Sequence, residues 1–392
     1  MQRAGQAAFE LARAQWPQAR SWLILCGHGN NGGDGYVTAR LAQAAGYAVT
    51  LLACDSDKPL PDEAQRAREA WLEAGGEIHA ADAPWPEQID LIVDALLGTG
   101  INRAPAEPYL SLIKQANAHA APVLAIDMPS GLSAATGCAP GEAIVATQTL
   151  SVIALKPGQI TGKARDLIGE LRYADLGLGA FLAGENAPMA RYDATSLSRW
   201  LKPRKPTSHK GNHGRLLVVG GDTGTAGAIR MTAEAALRAG SGLVRVLTHR
   251  DNIAPVLTAR PEIMVDELTD ASLQNGLAWA DVIAIGPGLG QREWGQNALK
   301  AVAASEKPML WDADALNLLA INAEKRQNRI ITPHPGEAAR LLGIKTSEVE
   351  SDRLLAAQQL AARYGGVAVL KGAGTLIASE QGDMAFADVG NA

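Results

Sequence analysis

The sequence predicts an α/β chain made of two different domains, the first a doubly wound parallel sheet. Three observations predict it. Short apolar runs ending at Gly, Asp or Lys-Pro-Gly recur along the chain, separated by stretches of helical spacing. Glycine is abundant, at 41 residues, whereas aromatics make up only 4%, a composition suited to strands covered on both faces with glycine turns at their ends. The 392 residues are enough for two or three cores, since a domain takes roughly 150 residues.

The elements follow in order. Residues 21–26 (SWLILC) form an apolar run closed by Gly27 and predict a buried strand. Residues 36–45 have helical spacing, and Gly46 stops them. A strand over 47–54, a polar helix over 62–74, and strands over 91–97, 123–126 and 150–155 complete a βαβα rhythm. The second half repeats the rhythm with different loops, its apolar runs being 216–219, 243–247, 282–285, 309–311, 330–331 and 367–370. The halves show no self-similarity, which excludes a duplication. Between them, 198–215 holds Arg199, Lys202, Arg204, Lys205, Lys210 and Arg215 and no acid. It reads either as a solvated linker or as an anion-binding loop. The expected domains are therefore 1–197 and 216–392, with 198–215 as a basic linker.

Composition excludes several classes. Hydrophobic residues at 47% and charged residues at 20% exclude a disordered or fibrous chain. A net charge of −5 argues against nucleic-acid binding. No apolar run reaches the ~18 residues of a membrane span, and the N-terminus lacks the pattern of a signal peptide. Three scattered cysteines are too few for a disulfide framework, so a reducing cytoplasm is the expected compartment.

The candidate chemistry lies where strands end, since ligands of doubly wound sheets bind beyond the carboxyl ends of the strands. Gly27, Gly29 and Gly32 fit G-x-G-x-x-G, and Asp55 follows the next strand where a ribose-binding acid would sit. Glycines let backbone N–H groups approach phosphate, and a helix start adds a favourable dipole. The alternative is a tight turn that binds nothing, although Asn30, Asn31 and Asp34 give this one three side-chain oxygens. Later strand ends carry Asp94, then Gly98, Thr99 and Gly100; Asp127, then Ser130; and Lys156. Asn31, Asp94 and Ser130 offer hard oxygen donors to a cation, leaving Asp127 and Lys156 as acid/base candidates. Each aspartate taken singly also reads as a helix cap.

GNNGGDG, DALLGTG, IDMPSG and ALKPG together resemble the NAD(P)HX epimerase domain of the bifunctional NAD(P)H-hydrate repair enzymes. The resemblance implies a Rossmann-like domain that interconverts the R and S epimers of hydrated NADH and NADPH and carries K+. It implies that Asn30, Asn31, Gly32, Gly33 and Asp34 line the substrate. Gly98, Thr99, Gly100, Ile101, Asn102, Arg103 and Ala104 would cradle its phosphates, Asn31, Asp94 and Ser130 would hold K+, and Asp127 would act at the reacting carbon. Lys156 is added to Asp127 from its strand-end position.

The second half carries glycine loops and acids at successive strand ends: GGD and GTAGA from 220, GPGLG from 286, DADALN from 312, TPHPGE from 332 and KGAGT from 371. These resemble the ADP-dependent NAD(P)HX dehydratase, a ribokinase-like α/β domain. The resemblance implies contacts from Ala228, Gly288 and His334 to the hydrated dinucleotide. It assigns ADP to Lys371, Gly372, Ala373, Gly374 and Thr375, and Mg2+ to Glu337. The 6-hydroxyl of the S epimer would be phosphorylated from ADP, and loss of phosphate would leave NAD(P)H and AMP. A homo-oligomer is also implied. In that family a helical stretch precedes the motifs and a glycine-rich segment with a catalytic Asp follows them. The chain is therefore expected to be shortened at both ends, its dehydratase inactive, and Phe386 and Val389 uncovered. An NAD-linked oxidoreductase would explain only the first half, and a small-molecule kinase only the second.

Overall fold

The computed structural model describes residues 1–387, and the chain forms two compact units, Met1–Ala187 and Pro188–Ala392. In the first unit the strands are β1 (Ser21–Cys26), β2 (Ala48–Ala53), β3 (His79–Ala80), β4 (Leu91–Ala95), β5 (Val123–Ile126), β6 (Gln148–Val152) and β7 (Glu170–Ala174). They make one parallel sheet in the order β3-β2-β1-β4-β5-β6-β7. This is a Rossmann-like order, with its switch point between β1 and β4. Along β1, Trp22, Ile24 and Cys26 enter the core on one face, while Leu23 and Leu25 enter the core on the other. Both faces are covered, so the strand reads as a continuous apolar run rather than an alternating one. The helix Gln2–Gln15 buries Ala4, Ala8, Phe9 and Ala12 along one stripe.

In the second unit the strands are β8 (Ala190–Tyr192), β9 (Arg215–Val219), β10 (Leu243–Thr248), β11 (Met264–Glu267), β12 (Val282–Ile285), β13 (Met309–Trp311), β14 (Arg329–Ile331), β15 (Val367–Leu370), β16 (Thr375–Ser379) and β17 (Met384–Ala387). Their order is β11-β10-β9-β12-β13-β14-β15-β16-β17-β8. The pairs are parallel from β11 to β15, antiparallel through β16, and parallel again where β8 joins β17. The second sheet is therefore mixed, parallel through β15 with antiparallel strands at one edge. Among the described residues no helix is long and apolar enough to cross a membrane.

Three expectations are corrected. The helix expected over 36–45 is Asn30–Ala44, so the Asn/Gly/Asp cluster lies in its first turns and not in a loop before it. Five glycines and asparagines hid the helix, because those residues favour turns when nothing packs against them. The strand expected over 150–155 ends at Val152, because Ile153 turns left-handed with φ +68°. Phe386 is not uncovered: it lies in β17 at 6% exposure, between β16 and β8. Val389 lies outside the described residues.

Candidate active sites

At the switch point of the first sheet, Asp94 lies fully buried one residue before the end of β4. One carboxylate oxygen accepts from the backbone N–H of Ser130 at 2.8 Å; the other accepts from its hydroxyl at 2.5 Å and from the N–H of Leu96 at 3.2 Å. The Ser130 hydroxyl in turn accepts from the N–H of Leu97 at 2.8 Å. The partners of Asp94 are thus amides and a hydroxyl, and burial pushes its carboxyl up to about 6. Asn31 and Asp34 rise from the neighbouring helix start. Both polar atoms of the Asn31 amide are buried without a hydrogen-bond partner, as is Oδ1 of Asp34. Burial raises the Asp34 carboxyl to about 7, against the opposing pull of the Met1 amino group at 3.7 Å. The buried Asp94 carboxylate thus has no cationic side chain among its hydrogen-bond partners, and the Asn31 amide oxygen is left unpartnered; both are hard oxygen donors of the kind a monovalent cation takes.

Asp127 and Lys156 come together at the ends of β5 and β6. The Lys156 ammonium donates to the Asp127 carboxylate, to the carbonyl of Val152 at 2.7 Å and to the hydroxyl of Ser151 at 3.2 Å. Both strands end in the same device. Asp127 has φ +67° inside a turn closed from Met128 N–H to Ile126 carbonyl at 2.8 Å; Ile153 has φ +68° inside a turn closed from Ala154 N–H to Val152 carbonyl at 2.8 Å. Non-glycine residues in such three-residue turns are strained, and strain of this kind concentrates at working sites. Gln159, fully buried, holds both partners: its amide donates to the Asp127 carbonyl at 2.8 Å and accepts from the Lys156 N–H at 2.9 Å. Sequence reasoning missed Gln159, which carries no signal beyond following Lys156 by three.

Asn31, Asp34, Gly98 and Asp127 line one cavity of about 350 Å3. Ile101, Asn102, Arg103 and Ala104 line another, of about 640 Å3. Gly98 and Tyr109 belong to both walls. Tyr109, also missed, accepts a hydrogen bond through its hydroxyl from the N–H of His28 at 3.1 Å. Asp55 is exposed, two residues past the end of β2.

The glycines of the first motif serve the chain before they serve a ligand. A Cβ on Gly27 would stand 1.6 Å from the Leu96 carbonyl oxygen, and one on Gly32 only 1.9 Å from that of Gly27. Gly35 has no room for one against Ala95 and Cys26, whereas Gly29 faces open space. The close approach is therefore of helix to strand, one of the roles glycines take in this motif, and Gly29 alone is left unobstructed.

In the second unit the loops after β9 and β12 close on each other. The N–H of Asp222 donates to the Gly288 carbonyl at 2.6 Å, and the Thr225 hydroxyl donates to the same oxygen at 2.9 Å. Gly288, at φ +60°, lies against Thr225 and Ala228 at the start of the helix Ala226–Ala239. Asp314 accepts from the N–H of Gly290 at 2.9 Å. Asp312 accepts from Lys371 at 2.6 Å and from Thr332 at 2.9 Å. Buried Glu337 accepts from the N–H of His334 at 2.9 Å and lies 4.0 Å from the Lys371 ammonium. Asp312, Glu337, His334 and Lys371 therefore form one charged cluster, and the Lys371 ammonium is engaged with carboxylates within it. Gly372, at φ +133°, has the guanidinium of Arg353 on its open side, and Thr375 donates to the Gly372 carbonyl at 3.2 Å. Ala373 and Gly374 complete the turn between β15 and β16. Among the described residues no three His, Cys, Asp or Glu side chains converge to hold a metal. A divalent ion here would complete its shell with phosphate oxygens and water.

Comparison with known proteins is decisive. Residues 1–158 match the family described as YjeF-related protein N-terminus, and residues 216–392 the family described as NAD(P)H-hydrate dehydratase. The bifunctional NAD(P)H-hydrate repair enzyme Nnr of Escherichia coli (strain K12) is 65% identical over 392 residues, covering 100% of this chain and 76% of that protein. The chain belongs to the bifunctional NAD(P)H-hydrate repair enzymes. The repair enzyme of Leishmania braziliensis is 43% identical, again over 100% of this chain and 76% of its own length. Among solved structures, a Bacillus subtilis ADP/ATP-dependent NAD(P)H-hydrate dehydratase is 30% identical, with a TM-score of 0.45, over 52% of this chain and 74% of that one. The strand-end residues of this repair enzyme thus fall within the two matched segments, one set in each unit.

Proposed function

We propose that the first unit interconverts the epimers of hydrated NADH and NADPH, with Asp127 and Lys156 as the acid/base pair. The observation that supports this reading is that Asp127, which accepts from the Lys156 ammonium, lines one cavity with Asn31, Asp34 and Gly98. The carbon bearing the 6-hydroxyl is bonded to the ring nitrogen. A proton delivered to that hydroxyl by the Lys156 ammonium lets it leave as water, giving a cation stabilised by the nitrogen. Asp127 then takes a proton from water entering the opposite face, so one water is lost and one regained. Asn30, Asn31, Gly32, Gly33 and Asp34 would line the substrate, and residues 98–104 would take its phosphates. Asn31, Asp94 and Ser130 fit K+, which when bound would supply the positive charge that buried Asp94 lacks.

In the second unit, Ala228, Gly288 and His334 would meet the S epimer, and residues 371–375 would meet ADP. Glu337 would help to organise Mg2+. Phosphorylation of the hydroxyl replaces a poor leaving group by a good one, and the departing phosphate leaves NAD(P)H. The working compartment is the cytoplasm and the working form a homo-oligomer. Incubating the protein with hydrated NADH, with and without ADP, and following both epimers and the absorbance of NADH separates the two activities. R/S exchange without ADP is the expected result for the first unit; consumption of NADH with a second substrate would replace this reading by hydride transfer.

A further inference from the structure

We propose that the basic cleft built by 198–215 is a binding site for a pyrophosphate group, at the opposite end of the second sheet from the loops described above. The cleft belongs wholly to the second unit and has a volume of about 760 Å3, within the ordinary range of ligand sites. Lys202, Arg204, Lys205 and Arg238 line it, together with Trp200 and His213, and no carboxylate does.

Its floor is fixed by the backbone. The segment Lys210–His213 leads into β9, and the N–H of Gly242, at the entry to β10, donates to the His213 carbonyl at 2.9 Å. A Cβ on Gly242 would stand 1.8 Å from the Lys210 carbonyl oxygen, so the two segments touch backbone to backbone. These are the amino ends of β9 and β10, whereas Asp222 and Gly288 lie beyond carboxyl ends.

Arg204 donates to the Gly240 carbonyl at 2.6 Å and covers the carbonyl end of the helix Ala226–Ala239, which would otherwise repel an anion. Arg238 is paired with Glu234 at 3.0 Å. Among the described residues Lys202 donates to the Ser198 carbonyl alone, at 2.9 Å. Among the described residues neither Lys202 nor Lys205 forms an ion pair with a carboxylate, although both face the same concavity as the anchored guanidinium. A planar fork held in place beside two compact ammonium groups suits the several oxygens of a diphosphate. A solvated linker has no need to converge its cations on a hollow. Trp200, in edge contact with Tyr192 at 5.2 Å and still 57% exposed, gives the rim a flat face.

The test is equilibrium dialysis of the whole chain against labelled inorganic pyrophosphate, without divalent cations. Wild type is compared with a Lys202→Ala/Lys205→Ala double variant and with Lys371→Ala. Saturable binding that the double variant weakens by about tenfold or more, and Lys371→Ala leaves intact, is the expected result. The double variant should unfold with the same thermal transition and give the same far-ultraviolet circular dichroism as wild type, which shows that the second unit, where both lysines lie, still folds. Repeating the titration with ADP in the Lys371→Ala background, with and without the Lys202→Ala/Lys205→Ala changes, distinguishes the sources of the group: ADP binding that depends on Lys202 and Lys205 and is tighter than that of pyrophosphate indicates a nucleotide, weaker binding the free anion. Binding unchanged in the double variant, or pyrophosphate binding that Lys371→Ala alone removes, would overturn the proposal.

Discussion

The Lys156 ammonium is shared between the Asp127 carboxylate and the carbonyl that ends its neighbouring strand, Val152. Asp127→Asn is expected to keep the fold, because asparagine tolerates the left-handed conformation that position 127 adopts. It removes the group that accepts a proton, so R/S exchange should fall by about 10²–10⁴ with the melting temperature nearly unchanged. Exchange at the normal rate would reduce Asp127 to a residue that only ends its strand.

Potassium should raise the melting temperature of wild type above the value in a bulky organic cation. In Asp94→Asn that response should vanish, since the carboxylate charge that attracts the cation is gone. Thermal unfolding in matched chloride salts checks this, and equal responses of the two proteins would remove Asp94 from any cation site.

Asp34 gives a pH dependence whose sign is fixed. Its folded carboxyl stands at about 7, above its ordinary value of 3.8, chiefly through burial. The native state therefore holds a proton that the unfolded chain has released. The stability is fully present below about pH 4 and is lost as pH rises through 7. Asp34→Asn should match wild type near pH 4 and melt several degrees higher at pH 8. Parallel pH profiles for the two proteins would show that Asp34 ionises in the fold as freely as in water.

Gly32→Ala and Gly29→Ala separate packing from ligand approach. Alanine at 32 meets the Gly27 carbonyl at 1.9 Å and should cost about 1–3 kcal/mol of stability, whereas alanine at 29 meets nothing. Denaturant titration of both variants measures the difference, and equal stabilities would mean that the helix start yields easily.

Much of this was legible in the sequence, and for a physical reason. Strands such as β4 and β5 are short runs with both faces buried, so composition alone marks their ends. Asp94, Asp127 and Lys156 followed from reading those ends. The start of the helix at Asn30 was not legible, because what stabilises it is contact of Gly32 and Gly35 with β1 and its loop, a tertiary fact. Gln159 was hidden for a similar reason: its two hydrogen bonds join residues 127 and 156, which only the fold brings together. Antiparallel β16 escaped notice because its burial alternates along the strand, and β17 because it is an apolar run of only four residues.

The pairing of β8 with β17 has a practical consequence for anyone wishing to cut the protein in two. Three residues, Ala190–Tyr192, cover the outer rail of the second sheet. A fragment begun at 216 would leave the N–H and C=O groups of β17 open to any other strand, an invitation to self-association. A fragment begun at 188 keeps that rail closed, and light scattering of the two fragments would show the difference.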